Sequence, residues 1–126
     1  MTFILVPLQG DPNNDVQING WNWRPTLELL RREHLLDPET LERASAQGAG
    51  GCLTDEQAKG IAAFLDSYLA GLLPGQRVRY DGTVTSEPKP QGDMLEQEPE
   101  ELYSATYEWL CRFRDFCRVC GGFKVV

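Results

Sequence analysis

Residues 98–120 read EPEELYSATYEWLCRFRDFCRVC, and the way this stretch is parsed decides the fold. Pro99 suits a first helical turn, where its missing N–H has no intrahelical partner anyway. Leu102, Thr106, Trp109, Leu110, Phe113, Phe116, Cys117 and Cys120 then recur at three- and four-residue steps. That period is the signature of one broad buried face, with Tyr103 and Tyr107 four apart beside it. Charge agrees with a single long helix. Residues 93–101 hold five acids and no base, and residues 112–124 hold four bases and one acid, as a helix dipole prefers. Gly121-Gly122 supplies a C-terminal cap, and Phe123 to Val126 can add a strand after it.

Moving outward, this helix needs a partner, and the sequence offers one. Thr54-Asp55-Glu56-Gln57 has the spacing of a capping box. Behind it Ala58, Ile61, Ala62, Leu65, Tyr68, Leu69 and Leu72 form an apolar stripe, which Pro74-Gly75 stops. The stripes of the two segments suit antiparallel helix packing. Upstream, a helix is expected from near Trp23 or Pro25, with Leu27 and Leu30 inward and His34 near its end. A shorter helix follows, with Asp37 as N-cap and Pro38 at its first position. Leu36 and Leu41 flank that cap as a hydrophobic staple would require. The expected fold class is therefore mainly α: one compact domain over residues 1–126, with about four helices and a few short β-strands. An α+β arrangement is the alternative.

The strand signals are brief. Residues 3–6 are apolar and stop at Pro7, while Val16 and Ile18 alternate with polar neighbours inside a Gly-, Asn- and Asp-rich loop. Arg77 to Tyr80 and Thr83 to Thr85 flank Asp81-Gly82, the strongest short-range hairpin signal. Ser86 to Gln97 reads as a mobile surface loop, and a disordered insertion covering residues 76–97 is the alternative to this hairpin and loop.

With 126 residues, 19 acids against 12 bases and a net charge of −7, the chain is acidic. Area scaling gives roughly 6,800 Å² exposed when folded and roughly 20,600 Å² when extended, so a core can form without staples. The charge balance excludes a nucleic-acid binder and a protein that docks on anionic membranes. No apolar run approaches the roughly 20 residues of a membrane span, and residues 1–8 lack a signal-peptide pattern. A cytoplasmic protein with free thiols is expected.

Chemistry is sparse. Cys117-Arg118-Val119-Cys120 is a CxxC, the one motif with a named redox or metal role. A low thiol pKa usually comes from a helix N-terminus, whereas this pair falls at a C-terminus. On one helix Cys111 lies about 9 Å and about 120° from Cys117, and about 13.5 Å from Cys120 on the opposite side. The three cannot converge on one zinc, and no metal or other cofactor is expected. His34 is the sole histidine, placed to favour a helix dipole. Trp21-Asn22-Trp23-Arg24 is the most unusual local sequence, since Trp and Arg are enriched in interface hot spots. In an extended chain Trp21 and Trp23 point to opposite sides, which buries one and leaves the other partly exposed.

Two functional readings follow. The first is a non-enzymatic binding or immunity-type protein that engages a basic protein partner. Trp21, Trp23 and Arg24 contact that partner, and the acidic run of Glu96, Glu98, Glu100 and Glu101 steers it in. The second is a small enzyme or ligand-binding protein, with a pocket near Trp21, Trp23 and Arg24 or a reactive Cys117/Cys120 pair. Self-association is a third possibility, and no feature of the sequence sets an oligomeric state. In size, acidity and helical content the chain is similar to small bacterial proteins, some of which neutralise toxins by covering a basic active site. That likeness is one of character and carries no residues over.

Overall fold

In a computed structural model, which describes residues 2–87 and 103–126, strands are interleaved with helices throughout the described residues. This overturns the mainly α expectation: among the described residues 46% helix and 23% strand, the latter in two antiparallel sheets, define an α+β fold. Strand β1 (Thr2–Pro7) and strand β2 (Val16–Asn19) lead into helix α1 (Gly20–Arg32) and helix α2 (Pro38–Ala44). Strand β3 (Cys52–Thr54) runs directly into helix α3 (Asp55–Leu69). The hairpin of β4 (Arg77–Arg79) and β5 (Val84–Thr85) follows, with Asp81-Gly82 at its turn as expected. Strand β6 (Ser104–Thr106), helix α4 (Tyr107–Val119) and strand β7 (Gly122–Val125) complete the described residues.

The error lies in the segment that decided the fold. Residues 104–106 pair with β4, placing Ala105 opposite Val78, and only from Tyr107 does the chain turn helical. Thr106 makes the break. Its backbone is extended (φ −76°, ψ 154°), and its hydroxyl accepts from the Trp109 N–H at 3.1 Å as an N-cap. An apolar position at a helical step is thus also an inward position on a strand, and the period does not separate the two over three residues. The acidic run therefore does not open α4, whose first turn holds only Glu108.

The larger sheet has the order β2-β1-β7-β3 and the smaller one β5-β4-β6. In β1, Phe3 and Leu5 face inward and are fully buried, whereas Ile4 and Val6 are half-buried on the other face. Helices α3 and α4 pack on each other, as their stripes require. Both bonds of the Thr54–Gln57 capping box form, at 2.9 and 3.1 Å. Asp37 caps α2 through the Thr40 N–H at 3.1 Å, and Leu36 and Leu41 are both buried.

At the centre, Trp23 meets Phe113 edge-on with ring centroids 5.6 Å apart, and Phe113 stacks on Trp109 at 5.4 Å. Each buried indole finds an acceptor. The Trp23 Nε1–H donates to the Ala44 carbonyl at 2.8 Å, and the Trp109 Nε1–H to the Thr26 hydroxyl at 2.9 Å. After α4, Gly121 adopts φ 68° and Gly122 φ 99°, both left-handed. A Cβ on Gly122 would also lie 2.6 Å from the Leu53 carbonyl oxygen, so β7 can approach β3 only through glycine.

Candidate functional site

Helix α1 begins at Gly20, several residues before the expected start. Asn19 is its N-cap, its side chain accepting from the Asn22 N–H at 3.0 Å. Pro25 consequently sits inside the helix, where it offers no N–H to the Trp21 carbonyl. Starting at Gly20 fixes the fate of the Trp-Asn-Trp-Arg segment. Residues two apart on a helix point roughly 200° apart. Trp23 therefore enters the core at 1% exposure, while Trp21 stays half-buried on the other side. The expected division between the two indoles holds, but helix geometry produces it. Trp23 is a core residue, so of the three predicted contact residues only Trp21 and Arg24 remain at the surface.

A third element completes the group. The Asn22 side chain accepts from the Thr106 N–H at 3.1 Å, tying the start of α1 to β6. Tyr103, just before β6, is thereby laid on Trp21, with ring centroids 4.9 Å apart. The Arg24 guanidinium carbon lies 5.7 Å from the centre of the same tyrosine ring, a cation–π distance. Tyr80 joins from the hairpin: its N–H donates to the Tyr103 carbonyl at 3.2 Å, and the rings are 6.1 Å apart. Arg32 of α1 donates to the Tyr80 carbonyl and pins the hairpin to the helix. Three half-buried aromatic rings and one guanidinium, drawn from α1 and from the residues just after β4 and just before β6, therefore form one continuous face.

Two clefts flank Arg24. One, of about 170 Å³, is bounded by Gly20, Trp21, Arg24 and Tyr103. The other, of about 300 Å³, opens between α1 and α2. Its α1 wall is Arg24, Leu27, Glu28 and Arg31, the i, i+3, i+4, i+7 positions of one helical face. The sequence reading, which set Leu27 and Leu30 on the inward face, did not single out that stripe. Nor were Tyr80 and Tyr103 legible as a pair, because no local pattern announces that residues 80 and 103 meet across a sheet.

The remaining sequence candidates separate widely. Glu96, Glu98, Glu100 and Glu101 lie outside the described residues, as does most of the expected 86–97 loop. All four cysteines are free thiols. Cys117 and Cys120 are buried, and burial pushes the Cys117 thiol well above its ordinary range, with Cys120 raised for the same reason. A buried thiol held protonated is a poor nucleophile and a poor redox centre. Cys52 is the exposed one, opposite Lys124 on β7. Among the described residues no three His, Cys, Asp or Glu side chains gather as a metal site, and no helix is long and apolar enough to cross a membrane. His34 adopts φ 56° just beyond α1, closing it with a bond from its N–H to the Arg31 carbonyl at 3.1 Å. No known protein family, curated protein or solved structure matches the chain.

Proposed function

We propose that the chain is a non-enzymatic binding protein of the cytoplasm, of immunity type, that docks a basic protein partner through the Trp21–Arg24–Tyr80–Tyr103 face. The observation that carries this reading is the tilted contact of Trp21 with Tyr103, ring centroids 4.9 Å apart, with Arg24 over the same tyrosine ring. Half-buried Trp, Tyr and Arg side chains already locked against one another lose little freedom on binding, and these are the residue types that dominate interface energetics. The net charge of −7 supports a basic partner, because long-range attraction speeds the encounter. The free thiols suit a reducing compartment.

The test is a capture experiment at low and high salt, run with the wild type beside Trp21→Ala. The reading expects a basic protein that the wild type retains at low salt and Trp21→Ala does not, with an association rate that falls steeply as salt rises. Capture that is equal for the two chains, or no capture by either, would overturn it.

A further inference from the structure

We infer that the cleft between α1 and α2 is a binding site for a small zwitterion, an α-amino acid with an apolar side chain. This goes beyond the docking face, although the two share Arg24 and Tyr80. The cleft is lined by charges of both signs, and they are not equivalent. Arg31 and Glu28 satisfy each other through a bidentate pair, the closest contact being 2.7 Å. Two opposite charges are left over. Among the described residues Arg24 makes no ion pair or hydrogen bond, its contact being with the face of the Tyr103 ring. Glu42 of α2 likewise has no partner for its carboxylate among those residues, and the two do not pair with each other across the cleft that both line.

A guanidinium with its edge donors free is suited to a carboxylate, which it can grip with two parallel hydrogen bonds. A carboxylate on the opposing helix is suited to an ammonium. One ligand that carries both groups neutralises the two walls at once, whereas a simple anion or cation leaves one wall charge without a partner. The same cleft is lined by Leu27 and Leu41, which would cover an aliphatic side chain. Ser45 and Tyr80 add polar edges, and the Ser45 hydroxyl already donates to the Glu42 carbonyl at 2.7 Å, leaving its lone pairs to accept. At about 300 Å³ the volume is at the small end for ligand clefts, which suits one amino acid and not a longer peptide.

The experiment is a titration of the full chain, followed by amide chemical shifts, with three probes: L-leucine, N-acetyl-L-leucine, which lacks the cation, and L-leucinamide, which lacks the anion. Leucine should saturate with a dissociation constant near or below about 1 mM and shift the Leu27, Ser45 and Tyr80 amides. Each single-charge probe should bind about tenfold more weakly. Glu42→Gln, an exposed position that the fold does not need, should lower leucine affinity by about the same factor and leave N-acetyl-leucine unchanged. Trp21→Ala should leave leucine binding intact, which separates this site from the docking face: capture can fail while the titration succeeds, and the reverse. Absence of saturation by leucine, or equal binding of the three probes, would overturn the assignment.

Discussion

Replacing Thr26 by valine should destabilise the fold by about 1–3 kcal/mol, although the two side chains have the same shape. Thr26 is fully buried; its hydroxyl donates to the Asn22 carbonyl at 2.8 Å and accepts from the Trp109 Nε1–H at 2.9 Å. Valine removes both bonds, with unequal consequences. The Asn22 carbonyl keeps its helical N–H partner, whereas the Trp109 indole, 5% exposed, loses its acceptor. An orphaned buried donor carries the full desolvation penalty, while removing both partners of a bond is nearly neutral. Trp109→Phe deletes the donor at a separate cost in packing. In that background Thr26→Val should cost within about 0.5 kcal/mol, a coupling of about 1–2 kcal/mol. For a chain of this length each kcal/mol moves the midpoint by about 3–5 °C. Urea unfolding of the four chains, followed by far-ultraviolet circular dichroism, measures the cycle. The same cost for Thr26→Val with and without Trp109 would refute the reasoning. The cycle also bears on the candidate site, because Thr26 is the next turn after Asn22, the residue that holds β6 and Tyr103 beside Trp21.

Other outcomes follow from the same geometry. In native protein near pH 8 an aromatic disulfide reagent should modify Cys52 rapidly and leave Cys117 and Cys120 silent until denaturant is added; fast native labelling of Cys117 would contradict its burial. Gly121→Ala should cost about 1–2 kcal/mol for its left-handed backbone. Gly122→Ala should cost more, since its Cβ would meet the Leu53 carbonyl oxygen whereas that of Gly121 meets the movable Gln9 side chain; the opposite order in urea midpoints would show the β7–β3 approach to be misassigned. Hydrogen bonds from Thr40 and Thr83 hold the carboxyls of Asp37 and Asp81 below the ordinary range. The unfolded chain therefore takes up those protons first as pH falls. The contribution is present above the unfolded value of about 3.9 and is lost as pH drops through the folded values. Thermal midpoints at pH 6 and pH 3 should fall less in Asp37→Asn/Asp81→Asn than in the wild type, and parallel falls would count against it.

Much of the fold was legible wherever a side chain bonds its own neighbourhood. The Thr54–Gln57 box, the Asp37 cap and the Asp81-Gly82 turn each fit within four residues, so local sequence specified them. What sequence could not specify was pairing across distance. Ser104 to Thr106 is a strand only because Val78 lies opposite Ala105, 27 positions away. Cys52 to Thr54 is a strand only because β7 returns to it. The candidate site divides in the same way. Arg24 and Trp21 were legible as unusual residues in one short segment. Tyr80 and Tyr103 complete their face through a sheet, and the pairing of Arg31 with Glu28, which singles out Arg24 and Glu42, becomes evident only with the cleft in view.

The position of β7 has a consequence for how the chain comes off the ribosome. Gly122–Val125 follows every other described strand in the chain, yet it lies in the interior of the larger sheet, between β1 and β3. A nascent chain that has emerged as far as residue 121 holds those two strands with nothing to join them. Helices α3 and α4 can associate by then, but Phe123 and Val125, both buried in the finished core, are still to come. The unpaired edge of β1 is open to other chains throughout that interval. Closure of the larger sheet is thus a late step, since β1 and β3 are joined only by a strand that follows all four described helices in the chain.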